Sequence, residues 1–289
     1  MASDHLNICA HPKLDQAKMV LGFSGWMDGG GVSTGTVGWL VSAVNAQRLA
    51  EIEPVPFYIY NFPGPMELSS LFRPHTKIEN GLITYLEYPS NVFFCDPKNN
   101  LILFSGKEPN FRWDEYAECI FSLAGMFDVK RIYFVGSVAG VVPHTRQPRL
   151  LCSVSDEAAR NELEQHGVRF SDYQGPASLV TYLTYLSSRR GIQMASLVAE
   201  IPAYVQGTNP ICIESVIRRL TRILGLQVEM DELRSASEKF EARLNEAVQK
   251  QSEMAQIVQK MEADYDNEVF DTQLGDLKEW LEQKGIRLE

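Results

Sequence analysis

The sequence has few cysteines, no excess of positive charge and no long apolar run. Its five cysteines are widely spaced, and none forms a Cys-x-x-Cys pair. They predict a reduced, cytoplasmic environment rather than a disulfide framework. No apolar stretch approaches the roughly 20 residues of a membrane-spanning helix, and the first residues do not form a signal-peptide pattern. These absences predict a soluble protein without a membrane partner.

The charge of the chain is concentrated in its last quarter. The 289 residues carry a net charge of −10, and residues 226–289 hold 16 acidic and 8 basic side chains. Binding to nucleic acid requires clustered Lys and Arg that displace counterions. No basic stripe of that kind occurs in this chain, so the sequence predicts no nucleic-acid partner.

Short runs of β-branched and aromatic residues alternate with amphipathic stretches. The predicted strands cover residues 19–24, 55–60, 82–88, 101–105, 132–136, 150–154 and 194–201. The predicted helices between them cover residues 32–49, 111–127, 155–166 and 176–190. This alternation predicts an α/β protein with a mostly parallel sheet covered on both faces. A hairpin-like stretch at residues 79–103 predicts an antiparallel portion within that sheet.

The character of the sequence changes near residue 210. We predict a core domain at residues 1–210 and a C-terminal helical region at residues 211–289. A helix is expected at 210–224, followed by apolar residues at heptad spacing from 226 to 265. Gln251 and Ser252 interrupt that pattern, which predicts two antiparallel helices with a turn near residues 249–252. A separate last helix is expected at 272–284.

A glycine-rich corner follows the first long predicted strand. It reads Gly25-Trp26-Met27-Asp28-Gly29-Gly30-Gly31 and leads directly into a helical pattern. Free backbone N–H groups at such a corner can hold an anion or a partner group. The spacing does not match a dinucleotide fingerprint, a phosphate-binding P-loop or a nucleophile elbow. The alternatives are a tight turn that lets strand and helix pack closely, and a helix-capping role for Asp28.

Two further loops leave predicted strands with chemically useful side chains. In the first, His144 could donate a proton and Arg146 could clamp a carboxylate or phosphate, or Arg146 could instead lock its own loop. In the second, Glu200 could reach the same rim of the sheet. The candidate ligand-binding residues are therefore Trp26, Asp28, Gly29, Gly30, His144, Thr145, Arg146 and Glu200. No complete catalytic group is present. The five histidines are scattered, so we predict no metal site, and we predict no cofactor.

Five segments, in this order, carry a family resemblance. They are the corner at residues 25–30, Val142-Pro143-His144-Thr145-Arg146, Gly175-Pro176-Ala177-Ser178, Ile201-Pro202-Ala203-Tyr204 and the stretch at residues 275–282. Together they resemble the proteasome assembly chaperone 2 family, in its bacterial members of the actinobacterial type. The resemblance implies a three-layer α/β/α sandwich similar to the phosphorylase/hydrolase-like fold, with a C-terminal helical appendage.

The resemblance also implies possible partners. Eukaryotic and archaeal relatives are similar to assembly factors that bind proteasome subunits. Archaeal relatives that dock on the proteasome have a C-terminal hydrophobic-Tyr-any tripeptide, whereas this sequence ends Arg287-Leu288-Glu289, so we expect no tail insertion of that type. The family further implies self-association as a homo-oligomer, with a trimer as the expected order.

Two hypotheses about function follow. The first is a non-catalytic binding or assembly-chaperone-like protein with a protein partner such as proteasome subunits. The second is an enzyme of phosphorylase/hydrolase-like fold that acts on a small anionic or nucleoside-like substrate with Asp28, His144 and Arg146. The enzyme hypothesis requires these three side chains to converge within about 3–4 Å of one ligand position.

Overall fold

The computed structural model describes the backbone of residues 4–283 and the side chains of residues 4–268. Within that range, the strands are β1 (Leu6–Ile8), β2 (Lys18–Ser24), β3 (Gln47–Ile52), β4 (His75–Glu79), β5 (Leu82–Glu87), β6 (Val92–Asp96), β7 (Leu101–Lys107), β8 (Arg131–Gly140), β9 (Leu150–Val154), β10 (Arg169–Phe170) and β11 (Gln193–Pro202). The α-helices are α1 (Val32–Ala43), α2 (Met66–Ser70), α3 (Trp113–Met126), α4 (Glu157–Leu163), α5 (Leu179–Arg189), α6 (Pro210–Leu224), α7 (Asp231–Gln249) and α8 (Ser252–Gln283).

Nine of these strands form one sheet in the order β1-β3-β6-β7-β2-β8-β11-β9-β10. The four central strands β7, β2, β8 and β11 run parallel to one another. The outer strands β6 and β9 each pair antiparallel with a central strand. The predicted parallel sheet with an antiparallel portion is therefore present, and its parallel centre brings four strand ends together at one edge.

Helices cover both faces of the sheet, because successive side chains of a strand point to opposite faces. In β2, Met19, Leu21 and Phe23 pack in the cluster that contains α3 and α5. Val20 packs in the cluster on the other face, together with residues of α1, α4 and α6. This arrangement confirms the α/β/α sandwich.

Helix α6 packs on the sheet beside α1. Its buried residues include Cys212, Val216 and Leu220, and its first turn lies at the boundary that we drew between the core and the helical region. The division of the chain at residue 210 stays a prediction.

The helical appendage is a hairpin. Helix α7 ends at Gln249 and α8 begins at Ser252, where the polar interruption predicted a turn. The expected separate helix at 272–284 is wrong, since the α8 backbone continues unbroken through residue 283. The one residue of that prediction beyond 283 lies outside the described range.

Three local predictions are corrected by the structure. Residues 55–57 form a single 3₁₀ turn instead of a strand, because Pro54 and Pro56 flank Val55 and proline has no N–H to donate to a sheet. Helix α1 ends at Ala43 rather than at residue 49, since Asn45 adopts a left-handed φ of 52° and the chain then enters β3. Strands β4 and β5 form a separate two-stranded ribbon outside the main sheet.

Candidate functional site

The three loops that the sequence singled out lie at one edge of the sheet. The glycine corner follows β2, the His144 loop follows β8, and Glu200 lies near the end of β11. These strands are parallel, so their carboxyl ends share an edge, which we call the carboxyl edge. Open α/β sheets commonly bind ligands in the crevice at this edge.

The glycines of the corner permit close backbone packing. A Cβ on Gly29 would lie 2.8 Å from Cδ1 of Ile201, and one on Gly30 would lie 2.9 Å from Cβ of Asn209. Gly30 and Gly31 also adopt φ values of 63° and 61°, a region that side chains disfavour. The packing role of these glycines is therefore shown by the geometry.

Asp28 binds the first turn of helix α1, whose N-cap residue is Gly31. Its Oδ1 accepts the backbone N–H of Thr34 at 3.1 Å, and its Oδ2 accepts the Thr34 hydroxyl at 2.8 Å. Burial raises the pKa of Asp28, although the Thr34 bonds oppose that rise. The carboxylate satisfies free groups at the helix start and is engaged within its own corner.

Trp26 stands at the exposed tip of the corner, and its side chain is 59% exposed. Its backbone N–H donates weakly to Oε2 of Glu108 at 3.4 Å, while Oε1 of Glu108 accepts the N–H of Leu179 at 3.1 Å. Glu108 thus ties the glycine corner to the start of α5. Sequence analysis missed Glu108, because the carboxylate lies about 80 residues from the corner along the chain and no motif includes it.

His144 is buried between two polar partners. The hydroxyl of Tyr204 accepts the backbone N–H of His144 at 2.9 Å and lies 2.6 Å from Nδ1 of the ring. The other ring nitrogen, Nε2, lies 3.1 Å from Oδ1 of Asn245 in α7. Both nitrogens are occupied, and only 3% of the residue is exposed.

Thr145 and Arg146 bind the other tail helix. Arg146 forms a two-pronged ion pair with Asp266 of α8, with Nε–Oδ1 and Nη2–Oδ2 distances of 2.8 Å. The Thr145 hydroxyl donates to Glu262 of α8, which also lies 3.5 Å from Nη1 of Arg146. The hydrogen bond from Arg146 lowers the pKa of Asp266.

Arg149 extends this contact. It pairs with Glu268 of α8 and lies 3.5 Å from Glu200, and its guanidinium stacks 4.4 Å from the ring centre of Tyr265. The Tyr265 hydroxyl donates to the backbone carbonyl of Gln147 at 2.8 Å. Glu268 also pairs with Arg169, and that bond lowers the pKa of the Glu268 carboxyl. We call the contacts of residues 144–149 with α7 and α8 the tail latch.

The tail latch engages the side chains of His144, Thr145 and Arg146, on which the expected shared ligand site depends. Among the described side chains, Asp28 forms no hydrogen bond or ion pair with His144 or Arg146. The cavity left beside His144, Arg146 and Glu200 has a volume of about 10 Å³, room for about one water molecule. The arrangement gives no support to catalysis by these side chains together, and the eight predicted ligand-binding residues stay a prediction.

Sequence analysis missed the partners that engage the predicted loops. Asn245, Glu262, Asp266 and Glu268 come from the tail, and Tyr204 follows β11. The sequence signal that could have indicated the tail carboxylates is the acidity of residues 226–289, together with the two arginines, Arg146 and Arg149, in the loop after β8.

Among the residues that the structure describes, no group of three His, Cys, Asp or Glu side chains is placed to hold a metal ion. In the same part of the chain, no helix has the length and apolar character to cross a membrane.

Comparison with known proteins places the chain in a family. The sequence model of the PAC2 family matches residues 22–248, most of the chain. The chain therefore belongs to the PAC2 family. No curated protein matches it at a significant level.

Solved structures share the PAC2 fold of this chain. A Mycobacterium tuberculosis protein of unknown function is 20% identical, with a TM-score of 0.81 over 94% of this chain and 92% of that one. A proteasome-assembly chaperone homologue from the same organism is 24% identical, with a TM-score of 0.73 over 83% and 99%. An archaeal proteasome activator from Pyrococcus furiosus is 19% identical, with a TM-score of 0.61 over 84% and 97%. The first two come from an actinobacterium, and at these identities the likeness establishes the fold.

Proposed function

We propose that this PAC2-family protein is a non-catalytic, self-associating binding protein of the assembly-chaperone type. The observation that carries the proposal is an exposed apolar segment, residues 62–88, which contains α2, β4 and β5 and which we call the arm. Its exposed large apolar side chains are Phe62, Met66, Leu68, Leu71, Ile78, Leu82, Ile83, Tyr85, Leu86 and Tyr88. Exposed apolar patches of this kind mark protein interaction sites.

The ribbon of the arm is bare on both sides. Every residue of β4 and β5 is exposed. The pairing of β4 with β5 contains a bulge, which shifts the alternation of side chains along β5. Cross-strand pairing therefore places Ile83 and Leu86 on one face of the ribbon, and Leu82 and Tyr85 on the other. An isolated two-stranded ribbon is marginally stable in water, so a ribbon with two apolar faces gains stability when it is covered.

A second copy of the chain is the occupant that we propose. Every copy carries the same arm, so a closed symmetric assembly covers all the arms at once without a further component. The order that we propose is a trimer, as the family resemblance implied.

A heterologous protein partner completes the proposal. The relatives described above include, by name, a proteasome-assembly chaperone homologue and an archaeal proteasome activator. We extend the proposal to proteasome subunits as the partner on that basis. The occupied carboxylate and imidazole groups of the carboxyl edge support binding over catalysis, because Asp28 and His144 already have structural partners.

Light scattering after size-exclusion chromatography tests the self-association. The chain has a mass of 32.6 kDa, and we expect the wild type at micromolar concentration to elute with three times that mass. Ile83→Asp places a charge on the apolar face of β5 and should yield the monomer. Val141→Asp is the matched control, because Val141 is 79% exposed but lies outside the arm. A monomeric wild type, or equal effects of both substitutions, would reject the proposal.

Affinity capture from the native cell tests the partner. We expect proteasome subunits to be recovered with the wild-type chain and with Val141→Asp. Recovery of a metabolic enzyme complex in place of proteasome subunits would contradict the assembly role while leaving the self-association to be judged by its own measurement.

A further inference from the structure

The carboxyl edge has a second, open half beside the tail latch. Where β2 and β7 end, a cleft of about 380 Å³ opens between the sheet edge and the root of the arm. Ser24 and Lys107 line its floor from the two strand ends, and Arg73 and Tyr88 line it from the arm. Its volume falls in the range of about 300–1,000 Å³ that is typical of small-molecule sites.

The two permanent cations of the cleft lack acidic partners among the side chains that the structure describes. Among the side chains of residues 4–268, Arg73 donates to the amide oxygen of Asn61 at 3.1 Å, and the Lys107 ammonium lies 5.9 Å from the ring centre of Tyr58. Neither forms an ion pair with a described carboxylate. Arg146 and Arg149, by contrast, are both paired with α8. The cleft therefore presents positive charge that the described part of the chain does not neutralise.

Hydroxyl groups surround these cations. Ser24 and Ser105 line the cleft with hydroxyl groups. Thr34 also lines it, but its hydroxyl donates to Asp28. Arg, Lys and hydroxyl donors together form the usual environment of a bound phosphate or carboxylate. Glu87 is the one carboxylate of the lining, so the described cleft retains a positive balance from Arg73 and Lys107.

A rigid floor holds Lys107 in place. The backbone N–H of Lys107 donates to Oδ1 of Asn91 at 3.2 Å, and its carbonyl accepts the Tyr58 hydroxyl at 2.6 Å. The hydroxyl oxygens of Tyr58 and Tyr116 lie 2.7 and 3.0 Å from the same Asn91 oxygen, and Asn91 and Tyr116 are fully buried. This network fixes the backbone of Lys107 at the strand end, from which the side chain extends.

We propose that this cleft binds a phosphorylated small molecule. Arg73, Lys107 and the two serine hydroxyls contact the phosphate, and Tyr88, which is 43% exposed, offers an aromatic face to the rest of the ligand. The site is formed jointly by the fixed sheet edge and the arm root, so the bound molecule holds the arm against the sandwich. This inference is independent of the self-association, because the lining residues belong to one chain.

Calorimetry with inorganic pyrophosphate as the probe tests the site. We expect the wild type and the Ile83→Asp variant both to bind, and Lys107→Gln and Arg73→Gln each to weaken binding by at least about tenfold. Lys98→Gln is the matched control, since Lys98 precedes the opposite end of β7 and its loss removes the same charge. Arg73 is exposed, so its variant keeps the test valid if Lys107→Gln fails to fold.

A second readout concerns the arm. Pyrophosphate should slow proteolysis within residues 62–88 of the wild type and should not do so in Arg73→Gln. The proposal is overturned if the wild type does not bind at millimolar pyrophosphate, or if Lys98→Gln weakens binding as much as Lys107→Gln does. It is also overturned if pyrophosphate leaves the proteolysis of the arm unchanged.

Discussion

The two halves of the carboxyl edge belong to the same sheet but differ in what lies over them. At the ends of β8 and β11, the tail latch buries His144 and pairs Arg146 with Asp266, which leaves a cavity of about 10 Å³. At the ends of β2 and β7, Arg73 and Lys107 border a cleft of about 380 Å³. One half is closed by the chain itself, and the other is open.

The difference arises from the composition of the covering segments. Helix α8 brings Glu262, Asp266 and Glu268 to the arginines of the closed half. The arm brings one carboxylate, Glu87, to the open half, together with Arg73 and Tyr88. Strand topology determines where the carboxyl edge lies. The segments appended to the sheet determine whether the charged side chains at that edge are paired within the chain or remain available to a partner.

The largest effect should come from detaching the tail. Val258 of α8 is 5% exposed, whereas its neighbour Ile257 is 47% exposed. Val258→Asp places a charge in the buried contact of the hairpin and should cost about 2–4 kcal/mol of unfolding free energy. Thermal unfolding and limited proteolysis of the tail measure this. Ile257→Asp should change both by little, and equal losses in the two variants would show that the tail is not packed as described.

The next effect should come from opening the latch at a single residue. Arg149→Gln removes the pairs with Glu200 and Glu268 and the stacking on Tyr265, and should cost about 1–3 kcal/mol. Arg234→Gln is the control, since its pair with Asp231 is long and exposed and its loss should fall within about 0.5 kcal/mol. Denaturant titration compares them. Arg149→Gln should leave pyrophosphate affinity at the open half unchanged, and a parallel loss would contradict the separation of the two halves.

Acid should open the closed half. Arg146 lowers the pKa of Asp266, and Arg169 lowers that of Glu268. A lowered carboxyl pKa contributes stability that is fully present above the ordinary value and is lost as pH falls through the lowered one. Protection of α8 from proteolysis by pepsin should therefore hold above pH 4.5, the ordinary glutamate pKa, and decline below it. The Arg146→Gln variant should lose protection at a higher pH than the wild type, and identical profiles would refute the role of this pair.

The smallest effect concerns Asp28. Since burial raises its pKa, the charged form carries a desolvation cost above that pKa, and the cost disappears as pH falls through it. Asp28→Asn keeps an oxygen for the Thr34 N–H and should leave the melting temperature at pH 7 equal or slightly higher. Asp28→Ala loses both bonds to Thr34 and should cost about 0.5–2 kcal/mol. If Asn destabilises as much as Ala, the carboxylate has a role beyond binding the first turn of α1.

Much of the fold could be predicted because its signals are local. Asn209 caps the start of α6 and Gly225 caps its end, and the helix has the predicted bounds. The polar pair Gln251-Ser252 marked the turn between the two tail helices. The ribbon was missed as a separate unit, although Asn80-Gly81 with φ values of 51° and 81° is a typical two-residue hairpin turn. Its separation from the sheet depends on tertiary packing, for which the sequence offers no local signal.

The candidate site was harder to predict than the fold. The spacing of the glycines located the corner. The reason for those glycines is that Ile201 and Asn209 pack closely against them, and these residues lie about 170 positions further along the chain. Arg73 and Lys107 were not singled out, because neither belongs to a motif and they meet only through the arm. Residues that act through long-range contacts leave no pattern in a single sequence.

Hydrogen exchange at two protein concentrations tests the comparison most directly. Peptides from the arm, residues 62–88, should exchange quickly in dilute protein and more slowly at high concentration, because a second copy covers them. Peptides from residues 142–149 should be protected at both concentrations, because the tail of the same chain covers them. An arm whose exchange does not depend on concentration, or an unprotected 142–149 loop, would contradict the account.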